Sequence, residues 1–329
     1  MNDVEVIAGS RLHFGLLCAP DGGRWNYGGI GMMLDQPHWH FHFGLNLPNT
    51  TDSIVASPDV TGRLERILVS FRQIHTELPA IRITTQSEAS LHAGLGAGTQ
   101  LTLAAVSAMR LLLGQSRPTD VGQIAETFGR SRRSAVGTFG FDHGGFIVDF
   151  GRSMPEGNQI KRFRFPDKWR MVLLTPRASA GLFGDTEESF FGKQDTLDGN
   201  IIQRLETIIE DELIVALTQE DLSRFADSLA AYGNLAGEFY ASAQGGIFSS
   251  ALLRPVVAWL ENRGIHGAVQ SSWGPTICIP AASELDAASV RDTVLKHPAA
   301  NQIDITIAKG LNTGTTIKTL APENQRSLG

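Results

Sequence analysis

Cysteine is nearly absent from this 329-residue chain, which contains only Cys18 and Cys278. The two residues lie far apart in apolar segments, so the sequence has neither a disulfide framework nor a CxxC zinc motif. This pattern is typical of a protein that is kept in a reducing compartment. We therefore expect a cytoplasmic location.

An excess of positive charge is also missing. Lys and Arg number 28 against 34 Asp and Glu, a formal net charge of −6. A general nucleic-acid or anionic-membrane binder needs the opposite balance. The sequence contains no run of about 18 apolar residues, the length needed to span a bilayer. The first residues, with Asp3 and Glu5, lack the basic and apolar regions of a signal peptide. We expect no nucleic acid and no membrane among the partners, so local groups must bind any anionic ligand.

Apolar residues are abundant enough for a large packed core, since 42% of the chain is hydrophobic and 19% is charged. Patterning predicts strands at 3–8, 11–18, 28–34, 38–45, 80–86, 144–151, 169–176, 267–271, 276–280 and 301–308, and helices at 58–75, 99–113, 120–129, 197–216, 219–242, 247–263 and 283–297. This irregular order predicts an α+β fold rather than a doubly wound sheet. The segment 151–168 is the predicted passage from one domain to the next.

Glycine is concentrated in HAGLGAGTQ (92–100), between a predicted strand and a predicted helix. The free N–H groups and the dipole of a helix N-terminus favour a phosphate, which Gly94, Gly96 and Gly98 would let approach. Thr99 and Gln100 add side-chain donors. GLGAG matches neither the P-loop nor the dinucleotide fingerprint. The alternative is a packing turn, in which small residues let the helix lie close to the sheet.

Three segments resemble the three ordered motifs of the GHMP kinase superfamily. They are SRLHFGLL (10–17), HAGLGAGTQLTLA (92–104) and GAVQSSWGPTICI (267–279). With RRSAVG and GGFIVD, both within 132–149, they are most similar to one branch, the β-ribofuranosylaminobenzene 5′-phosphate synthase (beta-RFAP synthase) family. The resemblance implies a ribosomal-protein-S5-like N-terminal domain over 1–160, which binds phosphate, and a ferredoxin-like C-terminal domain over 161–329.

The resemblance to the kinases themselves is incomplete. Those kinases carry GLGSS, whose hydroxyls help to hold nucleotide phosphates and Mg²⁺, whereas Ala97 and Gly98 stand here and Thr99 is offset by one position. The synthase branch uses phosphoribosyl pyrophosphate instead of ATP, which agrees with this loss. The alternatives are a small-molecule kinase that uses Mg-ATP and a non-catalytic sensor of a phosphate ligand.

The resemblance implies a transferase reaction between phosphoribosyl pyrophosphate and p-aminobenzoate, or a close hydroxybenzoate analogue. Carbon dioxide and pyrophosphate are released, in tetrahydromethanopterin biosynthesis. Mg²⁺ is implied by the pyrophosphate substrate, and no organic cofactor is expected. The expected partners are these small molecules, with a homodimer kept as an option.

The same resemblance implies catalytic roles for Arg11, His13 and Asp142. The guanidinium of Arg11 suits a phosphate or a carboxylate, and His13 can donate to a phosphate. Asp142 is a candidate Mg²⁺ ligand or stabiliser of a cationic sugar. The alternatives are a strand-end arginine, a structural histidine and a turn aspartate. Asp149 is the weaker carboxylate candidate, because a charged residue at a strand end is common.

Substrate or phosphate contacts are expected from three further groups of residues. These are Gly94, Leu95, Gly96, Ala97, Gly98, Thr99 and Gln100 in the loop; Arg132, Arg133, Ser134, Gly144 and Gly145; and Gln270, Ser271, Ser272, Trp273 and Gly274. Trp273 is expected to stack on the aminobenzoate ring. Its alternative is a core tryptophan under a Gly-Pro turn, and a solvated helix end explains the arginines equally well.

His38, His40 and His42 alternate along one face of a predicted strand, a spacing that can bind a metal ion. The aromatic residues between and after them occupy the other face. Such alternation is also what an ordinary half-buried strand shows, and we favour that interpretation.

Overall fold

The computed structural model describes residues 3–18, 26–116, 121–129, 134–153, 157–178 and 199–320. The strands in these ranges are β1 (Asp3–Cys18), β2 (Asn26–Leu45), β3 (Ser53–Val55), β4 (Ile81–Ser87), β5 (Phe146–Ser153), β6 (Gly157–Phe163), β7 (Arg170–Pro176), β8 (Val269–Gln270), β9 (Ile277–Ala281), β10 (Ile303–Lys309) and β11 (Thr316–Leu320).

The helices in the same ranges are α1 (Pro58–Ile74), α2 (Ala97–Leu112), α3 (Val121–Thr127), α4 (Val136–His143), α5 (Gly199–Thr207), α6 (Ile214–Thr218), α7 (Leu222–Gln244), α8 (Leu253–Glu261) and α9 (Glu284–Val294). A π-helical segment, Ile208–Leu213, joins α5 to α6. Among the described residues, no helix combines the length and the apolar character needed to cross a membrane.

The first sheet is built around β2. β1 runs along most of its length, β5 pairs with its first part and β4 with its last part. β11 pairs with β1, β6 with β5, and β3 lies parallel to β4. The sheet therefore combines strands from the beginning and the end of the described chain.

Two predicted pairs of strands are in fact two long strands. β1 covers both 3–8 and 11–18, and β2 covers both 28–34 and 38–45. The pairing of β1 with β2 shifts between Ala8 and Ser10 and again between His13 and Leu16. A bulge bends a strand without ending it, so an interrupted alternation does not mark a strand end here.

The second sheet has the strand order β10-β7-β9-β8, and all of its pairs are antiparallel. Along the chain, helices follow β7, a hairpin joins β8 to β9, and α9 precedes β10, which is the β-α-β-β-α-β order of a ferredoxin-like unit. Buried residues of α8 and α9 pack on this sheet. The predicted α+β class and the predicted ferredoxin-like part are confirmed.

Helices α1 and α2 cover one face of the first sheet. The buried residues of α1 are Val60, Leu64, Leu68 and Phe71, which recur at helical spacing. α2 is buried along most of its length and ends before Gly114, which has the positive φ of the predicted C′ glycine. The N-terminal end of α2 is therefore where this helix can meet a ligand.

Four elements of the described structure were not predicted from the sequence. They are β3, α4, β6 and β11. α4 has the sequence VGTFGFDH, whose two glycines lower the helix propensity, so only tertiary packing makes it helical. β6 crosses residue 160 inside the first sheet, and β11 adds residues 316–320 to that sheet. The division at residue 160 stays a prediction.

Candidate active site

The glycine loop leads from β4 into α2, which begins at Ala97. Gly96 is the N-cap residue, with a left-handed backbone (φ 66°), and no side chain caps the helix. Thr99 N–H donates to Gly96 O over 3.0 Å. The N–H groups of Ala97 and Gly98 come before this bond and have no acceptor within the helix. With the helix dipole, they form a site suited to an anion.

The chain's own packing explains the glycines at two loop positions. A Cβ atom at Gly94 would lie 2.5 Å from Ser271 O and 2.7 Å from Gly274 O, and one at Gly96 would lie 3.0 Å from Arg11 Nε. Both glycines also have positive φ. The packing-turn interpretation thus accounts for the missing side chains at Gly94 and Gly96, while anion binding depends on the N–H groups of the helix.

Arg11 lies where β1, α2 and α4 meet. Its N–H donates to Leu95 O over 2.9 Å. Its side chain runs between Gly96 and Gly137, where a Cβ atom would lie 3.3 Å from Arg11 Cδ. The buried Gln100, a predicted ligand donor, donates from Nε2 to Gly137 O over 2.8 Å and so ties α2 to α4. Arg11 therefore stands beside the N-terminal ends of two helices.

His13, Ser134 and Asp149 form a hydrogen-bonded chain next to this junction. Ser134 Oγ donates to Asp149 Oδ2 over 3.1 Å and lies 3.2 Å from His13 Nε2. Asp149 also accepts from the N–H groups of Ala135 (2.7 Å) and Gly151 (3.0 Å). Because Asp149 is completely buried and His13 nearly so, these bonds fix the entrance to α4 against β1 and β5.

The protonation of His13 follows from these neighbours. The single hydroxyl proton of Ser134 goes to Asp149, so His13 Nε2 is the donor in the bond to Ser134. Burial, and secondly the charge of Arg11, hold the pKa of His13 well below its usual value. The imidazole is therefore neutral at pH 7.

Ser271 links the three predicted motifs. Its fully buried Oγ donates to Gly94 O over 2.8 Å and accepts from His13 N–H over 3.1 Å. The next residue, Ser272, donates its N–H to His13 O over 2.6 Å. The Ser271 hydroxyl therefore holds β1, the glycine loop and the third motif together.

Gln270 and Gly274 shape the turn of the third motif. Gln270 Nε2 donates to Gln244 Oε1 (3.0 Å) and Ser272 O (3.1 Å), and its Oε1 accepts from Ser249 N–H (2.6 Å). A Cβ atom at Gly274 would collide with Ser249 Oγ and lie 2.9 Å from Gln270 Oε1. These two predicted site residues thus support the turn from within.

Trp273 lies in the core of the protein. Its side chain is 6% exposed, and its ring centroid is 4.7 Å from that of Tyr240 in an edge-to-face arrangement. Such packing is typical of a core tryptophan. The structure therefore places Trp273 in the environment of the alternative interpretation, and stacking on an acceptor ring stays a prediction.

A cavity of about 220 Å³ opens beside the first turn of α2. It is lined by α1, α2 and the end of α3, through Arg63, Arg66, Ile67, Ser70, Gly98, Leu101, Thr102, Thr127 and Phe128. Arg63 Nη2 lies 2.8 Å from Nε2 of His92 in the glycine loop. Burial, and then repulsion by Arg66, lower the pKa of Arg63. A bound anion would relieve this repulsion.

Arg63 and Arg66 are absent from the predicted site. In the sequence they stand in RLER, within a predicted helix, where charged residues indicate a solvated face. Only the packing of α1 on α2 brings them to Gly98. Asp149 could have been recognised from the sequence more easily than these two arginines, because it interrupts the apolar strand FIVDF. Charged residues in such strands are buried only with partners.

Asp142 lies at the end of α4 that is remote from the hydrogen-bonded chain of His13, Ser134 and Asp149. It follows Val136, the first residue of α4, by six positions, about 9 Å along the helix axis. Its carbonyl oxygen packs against Gly314. The carboxylate that the structure links to His13, through Ser134, is that of Asp149.

Gly144 and Gly145 lie beyond the same end of α4. A Cβ atom at Gly144 would collide with carbonyl oxygens of the 311–313 segment, and one at Gly145 would lie 2.7 Å from a carbonyl oxygen of β6. The backbone that approaches these glycines so closely is therefore the chain's own. Arg132 and Arg133 lie outside the described residues.

Solved structures of other proteins share this fold. Homoserine kinase from Cytophaga hutchinsonii superposes with a TM-score of 0.67 at 15% identity, over 97% of this chain and 98% of that one. Mevalonate pyrophosphate decarboxylase from Streptococcus pyogenes gives 0.64 at 13% identity, over 94% and 97%. At such identities the likeness shows the fold alone. The predicted GHMP kinase fold is confirmed.

Curated relatives narrow the assignment, although no family model matches the chain. A beta-ribofuranosylphenol 5′-phosphate synthase from Archaeoglobus fulgidus is 29% identical over 235 residues, which is 67% of this chain and 72% of that protein. Its namesake from Methanothermobacter thermautotrophicus is 25% identical over 291 residues, 82% of this chain and 85% of that protein. The predicted resemblance to the beta-RFAP synthase family is confirmed.

Among the described residues, three arginines surround the first turn of α2. Arg11 approaches from β1, and Arg63 and Arg66 approach across the cavity from α1. The neutral His13 and the buried carboxylate of Asp149 lie on the β1 side. The arrangement can bind phosphate groups at the cationic side and can accommodate a developing positive charge near the carboxylate.

Proposed function

We propose that the chain transfers the phosphoribosyl group of phosphoribosyl pyrophosphate to p-aminobenzoate or a close hydroxybenzoate analogue, in tetrahydromethanopterin biosynthesis. The observation that carries this proposal is the uncapped N-terminus of α2 with Arg11 on one side and Arg63 and Arg66 on the other. The relatives are named as synthases of a ribofuranosylphenol 5′-phosphate, which supports the proposal.

The proposed chemistry replaces one C–C bond by another. Pyrophosphate leaves the anomeric carbon with the bonding electron pair, and an oxocarbenium-like centre develops there. The ring carbon that carries the carboxylate attacks this centre. Carbon dioxide then leaves, and its bonding pair restores the aromatic ring, so no net proton is exchanged. An amino or a hydroxyl group para to that carbon stabilises the cationic ring, and both acceptors therefore fit the scheme.

Phosphoribosyl pyrophosphate carries phosphate groups at both ends, and each end needs a cationic site. The N-terminus of α2 lies between two such sites. Arg63 and Arg66 line a cavity large enough for a phosphate or pyrophosphate group beside Gly98. Arg11 stands on the opposite side of the same turn, next to Gly96. Donors held in place before the reaction stabilise a leaving pyrophosphate without further reorganisation.

The His13 side of the site suits the cationic sugar. Because His13 is neutral, it adds no positive charge where an oxocarbenium-like centre would form. The carboxylate of Asp149 supplies a negative charge in a buried setting, where charge–charge interactions are strong. In this proposal, Asp149 acts through Ser134 and His13 and is a positioning residue.

Mg²⁺ fits this site best as an ion carried by the pyrophosphate. Among the described residues that are hydrogen-bonded to His13 or Ser134, the carboxylate is that of Asp149. Both of its oxygens already accept hydrogen bonds. Mg²⁺ commonly binds substrate phosphates and keeps several waters. Bound in that way, it would offset negative charge on the leaving group. Asp142 stays a candidate ligand only by the resemblance.

The kinase alternative is less well supported. Ala97 and Gly98 offer no hydroxyl where the kinases carry a serine pair, and the curated relatives are synthases. The likeness to solved homoserine kinases rests on an identity of 15% and shows only the fold.

A cytoplasmic setting goes with the proposal. Cys278 is a free thiol buried in the second sheet, and its burial raises its pKa, so it stays protonated. Such a residue behaves as a small apolar side chain. A homodimer stays a prediction that sedimentation would test.

The function is tested by measuring carbon dioxide from carboxyl-labelled p-aminobenzoate together with pyrophosphate. We expect equimolar release that depends on phosphoribosyl pyrophosphate, and no ADP when ATP replaces it. Arg66→Gln should raise the KM for the sugar donor by about tenfold, since a charge-assisted hydrogen bond contributes about 1.5–3 kcal/mol. Arg164→Gln, at an exposed surface ion pair, is the matched control. ADP formation without carbon dioxide would instead identify a kinase.

A further inference from the structure

A cluster of metal-ligating side chains lies on the first sheet, on the face opposite α1 and α2. Glu5 Oε1 is 3.0 Å from His40 Nε2 and 3.7 Å from His42 Nε2. One ligand atom from each residue lies within 4.8 Å of the other two. The cluster does not depend on the proposed function.

The strand register creates this cluster. Glu5 in β1 lies directly opposite His42 in β2, and His40 points to the same face two residues earlier. The two imidazole centroids are 5.5 Å apart. Because β1 and β2 are hydrogen-bonded neighbours, the backbone holds the three side chains in place without an ion.

We propose that Glu5, His40 and His42 bind a divalent transition-metal ion of the Zn²⁺ type. Ligand bonds of about 2.0–2.2 Å in a tetrahedral site place ligand atoms about 3.4 Å apart, and the two measured distances bracket this value. Two imidazoles and one carboxylate form a recognised Zn²⁺ ligand set, and water takes the fourth position. The side chains are 20–28% exposed, so an ion can reach them from solvent.

The proposed ion differs from the Mg²⁺ of the transferase reaction. Imidazole suits Zn²⁺, Cu²⁺ and Ni²⁺, whereas Mg²⁺ prefers oxygen ligands. Glu5 and Arg11 are six positions apart in β1, about 20 Å along the strand. The ion would therefore join β1 to β2 as a structural clamp, remote from the candidate active site.

His38 provides a matched control. It lies on the same strand and the same face, but its Nδ1 contacts Gln36 Nε2 (2.8 Å) instead of Glu5. If histidines of this sheet bound metal ions only through their surface exposure, then His38→Gln and His40→Gln would weaken binding equally. If the cluster is the site, only His40→Gln weakens it.

The test is calorimetry with ZnCl₂ on the untagged protein at pH 7.5, with metal content measured after dialysis. We expect one Zn²⁺ per chain with a Kd of micromolar or below, and a loss of at least tenfold in affinity in His40→Gln, His42→Gln and Glu5→Gln. His38→Gln should bind like the wild type. Zn²⁺ should raise the Tm of the wild type and of His38→Gln only.

X-ray absorption at the zinc edge of the wild-type complex gives an answer even if a variant fails to fold. Two imidazole ligands and one carboxylate support the proposal. Three results would overturn it. The first is a site without imidazole, and the second is no binding at about 100 μM ZnCl₂, a level that would nearly fill a micromolar site. The third is equal affinity in the wild type and His40→Gln.

Discussion

The Ser271→Ala variant tests the idea that one buried hydroxyl holds the three motifs together. Ser271 Oγ donates to Gly94 O and accepts from His13 N–H, and the residue is fully buried. Alanine removes both bonds and adds no new partner. The carbonyl of Gly94 and the N–H of His13 would both lack this partner in a dry environment.

The expected magnitude follows from the two lost bonds. Each buried group left without a partner costs about 1–3 kcal/mol. Allowing for partial relaxation, the variant should lose about 2–4 kcal/mol of unfolding free energy. For a chain of 329 residues, the unfolding entropy is about 0.7 kcal/mol/K, so the Tm should fall by about 3–6 °C. Because Gly94 lies next to the anion site, the KM for phosphoribosyl pyrophosphate should also rise severalfold.

Ser272→Ala is the matched control. Ser272 contacts His13 through its backbone N–H, which alanine retains. Differential scanning calorimetry and steady-state kinetics on both variants separate the two hydroxyls. If Ser271→Ala melts within about 1 °C of the wild type, a shift worth less than 1 kcal/mol, the hydroxyl does not hold the motifs together. If Ser272→Ala alone raises the KM, its side chain touches substrate instead.

Three further outcomes are expected. Gly96→Val should abolish binding of phosphoribosyl pyrophosphate in calorimetry, because its Cβ displaces Arg11 and valine disfavours φ near 66°; unchanged affinity in a folded variant would exclude the loop from the site. The burial of Trp273 predicts that Trp273→Ala loses about 3–5 kcal/mol of unfolding free energy and impairs both substrates; a defect confined to p-aminobenzoate, with an unchanged Tm, would instead support stacking. His13 has a lowered folded-state pKa, so the unfolded chain binds its proton first and stability falls as the pH drops below about 6.5. His13→Gln should remove this contribution, up to about 1.4 kcal/mol per pH unit, from urea midpoints measured between pH 7 and 5; an unchanged slope would contradict a buried neutral imidazole.

Elements with a strong local pattern were predictable. α1 was expected at 58–75 and spans Pro58–Ile74, because its apolar residues recur at helical spacing. β7 and β10 were similarly close. α4 was missed because its glycines oppose a helix, and β11 because its pairing partner lies some 300 residues earlier in the chain. No local signal reports such a pairing.

The residues of the candidate site were likewise predictable only in part. The motifs around Arg11, the glycine loop and Ser271 were visible as short patterns, and the structure brings them together. Arg63 and Arg66 were not visible, because a charged helix face has the same sequence whether it meets solvent or a neighbouring helix. Asp142 ranked above Asp149 in the sequence, because no local signal shows which end of α4 lies next to His13 and Ser134.

By itself, the sequence determined the α+β class, the resemblance to a synthase family and the position of a helix N-terminus behind a glycine loop. These depend on local periodicity, on backbone freedom and on short motifs, all of which are properties of neighbouring residues. The tertiary structure alone decided that Ser271 joins the motifs, that His13 is neutral, and that Glu5 stands beside two histidines. Burial, protonation and ligand geometry depend on distances between residues remote in the chain, and those distances exist only once the sheets have formed.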